Sequence, residues 1–143
     1  MWCRWRNSEL VTHGWLMFVA LAGSAGCTVS EKKEVSASEL RDALTRRGYT
    51  VTTRGNDPEA AGASETSCLD VKTDGPTTES ICVWRCATAE ACAQAMRAIY
   101  AAPKGHTQIG SSQVERTVIV ERDCKGPTCG QLHADVAKAQ LRF

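Results

Sequence analysis

Residues 67–86 read SCLDVKTDGPTTESICVWRC. This stretch decides the fold, because it contains two β-strands and the turn between them. Ser67–Lys72 and Glu79–Cys86 have strand composition, and Thr73-Asp74-Gly75-Pro76-Thr77 gathers Asp, Gly and Pro where the chain must reverse. A hairpin centred on Gly75 pairs residues whose numbers sum to 150, which sets Cys68 opposite Cys82. Directly opposed residues hold their Cβ atoms about 4.5–5.5 Å apart, so a small adjustment reaches the roughly 3.8 Å of a disulfide. Closing a loop of about 15 residues is worth roughly 3 kcal/mol in the chain-entropy account. Trp84 shares a strand face with Cys82 and Cys86, so it is expected in the core against a bridge. The other reading is an exposed anchor for a partner.

Upstream, Ser36 and Glu39 stand at capping-box spacing, and Val35 and Leu40 occupy the staple positions of a helix that Gly48 ends. Tyr49–Arg54 is β-branched and alternating, a further strand. Gly55–Thr66 is rich in Gly, Ala, Asp and Pro and reads as a plain connection. Downstream, Thr88–Tyr100 is a helix with Thr88 as N-cap and Cys92, Ala95, Met96 and Ile99 on one stripe, stopped by Pro103 and Gly105. Gly110-Ser111-Ser112 reads as a turn before a strand, Val114–Glu121, with Val114, Val118 and Val120 on one face. The last helix opens at Thr128 with Gln131 completing a capping box, and Leu132, Val136, Ala139 and Phe143 form its apolar stripe.

A weak repeat runs through this half: strand, cysteine, short loop, cysteine, helix. It occurs at Ile81–Cys86 with Cys92, and at Val118–Cys124 with Cys129. Each unit reads as a staple from a strand end to the first turn of the next helix, giving Cys86–Cys92 and Cys124–Cys129. A crossover from Cys86 to Cys124 is the competing connectivity. Strand–helix–strand from Ile81 to Glu121 predicts a parallel crossover. The expected architecture is therefore a disulfide-stapled, two-layer α+β domain, with a mixed sheet of about four strands and three helices mainly on one face.

The first 27 residues are MWCRWRNSELVTHGWLMFVALAGSAGC. Arg4 and Arg6 precede an apolar segment, Trp15–Ala22, which is too short to span a bilayer and is followed by small residues, the order of an export signal. Ser24-Ala25-Gly26-Cys27 resembles the lipobox of bacterial lipoproteins. That resemblance covers only the signal and Cys27, and departs from the commonest pattern in having Ser24 at −3 and Glu9 in a long n-region. It implies a diacylglyceryl group on the Cys27 sulfur, cleavage just before it, and further acylation of the new α-amine. The absence of Asp at position 28 implies the outer membrane. An ordinary export signal cut after Ala22, Ser24 or Ala25 is the alternative. Parity bears on the choice: once Cys3 leaves with the signal, lipid on Cys27 leaves six cysteines for three bridges, whereas a free Cys27 leaves seven. The expected organisation is a signal at 1–26, a lipidated tether at 27–35 and one domain at 36–143.

Composition bounds the function. Eight cysteines in 143 residues point to an oxidising compartment or a metal. Seventeen basic residues against sixteen acidic ones argue against a nucleic-acid partner. Removing the signal leaves fifteen of each sign, so no strong contact with lipid headgroups is expected. Cys86, Cys92, Cys124 and Cys129 could converge as a metal or redox quartet, but their spacings are C-x5-C and C-x4-C, and no C-x-x-C occurs. His106 and His133 read as surface residues, and Glu121 and Asp123 about Arg122 as a solvated strand edge. No catalytic residue, metal or cofactor is expected. The reading is a lipid-anchored envelope module that binds or supports, held to the membrane by its lipid and facing an envelope partner. A cysteine-based metal or redox protein is the alternative.

Overall fold

The computed structural model describes residues 31–73, 78–101, 105, 106, 109–124, 126 and 128–142. The signal, Cys27, the Gly75 turn, Pro103 and Phe143 lie outside them. The chain runs α1 (Ala37–Arg46), β1 (Thr50–Gly55), β2 (Glu65–Lys72), β3 (Thr78–Arg85), α2 (Ala89–Ala101), β4 (Ile109–Val114), β5 (Thr117–Arg122) and α3 (Cys129–Ala139). Among the described residues the fold is α+β: five strands in the order β1-β2-β3-β5-β4, every neighbouring pair antiparallel, with three helices.

Local signals account for much of this. The capping box forms: Glu39 N–H donates to Ser36 Oγ at 3.2 Å, and Ser36 N–H donates to Glu39 Oε2 at 2.8 Å. Gly48 takes φ +96° just after α1, which a residue with a Cβ resists. The β2–β3 register sets Cys68 opposite Cys82, and the two are bonded. Cys86–Cys92 and Cys124–Cys129 are bonded as well, so the crossover connectivity is not used.

The sheet differs from expectation in being wholly antiparallel. Residues 109–114 form a fifth strand, β4, where Gly110-Ser111-Ser112 suggested a turn, and Val114 belongs to β4 rather than to the strand of Val118 and Val120. A two-residue turn at Glu115-Arg116 reverses the chain, since Val114 pairs with Thr117. Glu115 sits at φ 50°, and Gln113 Nε2 holds the turn by donating to its carbonyl at 2.8 Å. The extra reversal makes β5 antiparallel to β3.

Both faces of the sheet are covered, not mainly one. Leu69, Val71, Ile81, Val83 and Ile119 face Leu40 and Leu44 of α1 and Leu132 and Val136 of α3. On the other face Cys68, Cys82, Trp84, Val118 and Val120 meet Cys92, Ala95 and Ile99 of α2, with Ala60 and Ala63 of the β1–β2 loop packed alongside. Strand alternation separates the two sets. At the start of α3, Thr128 is already helical (φ −83°, ψ −11°) and its side chain caps nothing. Gln131 Nε2 instead donates to Asp135 Oδ1 at 3.1 Å, so the second capping box is absent. Among the described residues no helix is long and apolar enough to cross a membrane.

Candidate functional site

Strand parity places Arg122 on the inward face, one step past Val118 and Val120 and opposite Ser80. A buried cation needs a counter-charge. The β1–β2 loop supplies it: Arg122 Nη2 donates to Asp57 Oδ2 at 2.8 Å, with both side chains almost wholly buried. Trp84 Nε1 donates to the same oxygen at 2.7 Å, and Glu59 N–H donates to Asp57 Oδ1 at 3.0 Å. Burial alone would raise the Asp57 carboxyl. The bonds from Arg122, Glu59 and Trp84 outweigh that and hold it below its ordinary value. The Arg122 guanidinium lies 5.9 Å from the centre of the Trp84 ring and 3.4 Å, through Nη1, from Cys82 Sγ. Arg122 Nε is 3.2 Å from Glu59 Oε2, close enough for charge attraction but not aligned as a hydrogen bond.

Glu59 extends the cluster outward to His106. His106 Nε2 lies 3.0 Å from Glu59 Oε2, and Nδ1 lies 2.6 Å from Asp123 Oδ2. Asp123 reaches this position at φ 52°, a conformation Asp tolerates. Only the imidazolium can donate from both nitrogens, so two carboxylates favour the charged ring. The bond to Asp123 leads in raising the His106 pKa, desolvation opposes it, and Glu59 adds to the rise. The group borders a cleft of about 280 Å³ walled also by Arg54, Pro58, Thr78 and Ser80.

This cluster corrects three expectations. The Gly55–Thr66 loop is not a plain connection, because it carries Asp57 and Glu59 into the site. Arg122 is not a solvated edge residue but a buried one. His106 is half-buried between two carboxylates, whereas His133 is exposed as expected, its Nδ1 2.6 Å from Glu121 Oε2. Trp84 is fully buried against the Cys68–Cys82 and Cys86–Cys92 bridges, as its strand face implied.

The cysteine quartet does not converge. Antiparallel pairing of Arg85 with Thr117 and Ser80 with Arg122 sends Cys86 and Cys124 to opposite ends of the sheet. Their bridges also serve opposite faces, Cys86–Cys92 packing with α2 and Cys124 against the α1–α3 core. Asp57 lies near Cys68 and Cys82, but those two sulfurs are bonded to each other. No family model, curated protein or solved structure matched the chain.

Chemically, the cluster can pin the β1–β2 loop across the Trp84 side of the sheet. Both nitrogens of His106 are engaged by carboxylates, which suits a latch more than a base. Because the folded pKa of His106 is raised, its stabilisation is complete below the ordinary value of 6.5 and is lost as pH rises through the folded value. Thermal unfolding from pH 5.5 upward should therefore show a midpoint that falls through that window. His106→Gln should flatten that fall, and equal slopes for the two proteins would remove the latch from the account.

Proposed function

We propose that the protein is a lipid-anchored module of the bacterial cell envelope, attached through Cys27 to the outer membrane and acting by binding or support rather than by catalysis. Cysteine parity carries the reading. Among the described residues the six cysteines form three bridges, and the other two cysteines of the sequence, Cys3 and Cys27, fall within the expected export signal and at its lipobox-like end. Three bridges fit an exported chain, and a chain with no leftover thiol is the usual exported state. The binding or support role draws on the closed pairing of the Asp57–Arg122–His106 cluster, whose groups mostly answer one another.

Mass spectrometry of the mature protein from a bacterial host, with and without globomycin, tests the reading. The expected N-terminus is Cys27 carrying diacylglycerol, with unprocessed precursor accumulating under the inhibitor. A lipid-free mature chain beginning elsewhere, or an intact cytosolic precursor with every thiol reduced, would overturn it.

A further inference from the structure

The described fold begins at Glu31, four residues after Cys27. Its first residues do not trail away as the tether expected over Thr28–Val35. Lys33 N–H donates to the Gln140 carbonyl at 2.7 Å, Arg142 N–H donates to the Glu31 carbonyl at 2.8 Å, Lys32 bridges Leu141, and Val35 is buried. The link from Cys27 to the clamped segment is therefore at most about 14 Å when extended. That is comparable with the roughly 8–10 Å over which exposed charges act at physiological salt.

Beside the clamp, between α1 and α3, runs a groove of about 470 Å³. Lys33, Arg46, Arg47 and Lys138 line it, against Glu39 and Asp42. Both acids are engaged locally, Glu39 by the Ser36 amide and Asp42 by Arg41 at 3.2 Å. Arg47 pairs with the buried Asp135 at 2.9 Å, and Lys138 lies 3.9 Å from it. At the clamp, Lys32 and Arg142 outnumber Glu31, which pairs with Arg142 at 3.7 Å. Cations thus exceed anions on the α1–α3 layer, although residues 31–143 are neutral in total. The compensating negative charge lies elsewhere, so a whole-domain count conceals the asymmetry.

We propose that the α1–α3 groove lies against anionic phospholipid headgroups. The inference rests on the lipid anchor at Cys27: the short link fixes which face meets the bilayer, and the local charge supplies the attraction. The Asp57–Arg122–His106 cleft, reached from the opposite side of the sheet, then faces away from the membrane.

The test uses the full lipidated protein in vesicles of phosphatidylcholine alone or with phosphatidylglycerol. Acetylation rates of Lys33 and Lys138 are read by mass spectrometry, with flotation as the anchoring control. Both lysines should react about threefold or more slowly on the anionic vesicles, and the difference should vanish near about 0.5 M salt. Arg46→Glu with Lys138→Glu should abolish the protection of Lys33 while flotation persists. Flotation with equal rates on both vesicles would overturn the docking face alone. Failure to float, with no lipid mass on Cys27, would overturn the anchor and the docking face together.

Discussion

Replacing Arg122 with Met should destabilise the domain by about 3–5 kcal/mol, the range for breaking a buried ion pair from one side. The loss follows from what remains. Asp57 would keep its bonds from Trp84 Nε1 and the Glu59 amide, yet its charge would lose the guanidinium 2.8 Å away in an almost water-free site. The Asp57→Asn/Arg122→Met double variant should recover much of the loss, because a neutral amide oxygen can still accept from Trp84 and no uncompensated anion is left. Urea unfolding at pH 7 reads both. A cost under about 1 kcal/mol for the single variant would show that the pair is not held as described. The acid side has the opposite sign to His106. The lowered pKa of Asp57 gives stability present above its ordinary 3.8 and lost as pH falls through the folded value.

Reduction of all three disulfides should abolish cooperative folding. In the chain-entropy account the Cys68–Cys82 loop is worth about 3 kcal/mol and the two shorter loops about 2 kcal/mol each. Together these rival the whole stability of a small domain, about 5–15 kcal/mol. The faces should not suffer equally. On the Trp84 side four of the nine buried members of the core are half-cystines, whereas the α1–α3 side is built from Val, Leu and Ile. Hydrogen exchange followed while reduction proceeds should show α2 deprotected before α1. Retention of the native unfolding midpoint by the alkylated chain would contradict this account.

The parts of the fold that sequence made legible depend on near neighbours. The β2–β3 register followed from a turn and a spacing, α1 from a capping box and a glycine, and the two short staples from a repeated order of elements. The parts that were hidden depend on distant partners. Gly110-Ser111-Ser112 carries no strand propensity, yet Ser111 Oγ meets Tyr100 OH at 2.7 Å and Ser112 Oγ donates to Gln140 Oε1 at 3.0 Å. The β4–β5 turn has Glu115 where Asn or Gly would signal a hairpin. The site joins Asp57, Glu59, His106 and Arg122 from three separate stretches of chain, and each alone looks solvated. One signal was present: Arg122 follows Val118 and Val120 at strand period, and a cation on an inward face requires a buried acid.

The clamp between residues 31–33 and 140–142 has a bearing on when the domain can mature. Residues 31–33 bond to residues 140–142, over a separation of more than a hundred positions. Such contacts form late, after the loop between them is ordered. During synthesis this seam cannot close until residues 140–142 have left the ribosome. Until then residues 31–33 stay unclamped, whatever local hairpins and helices have already formed.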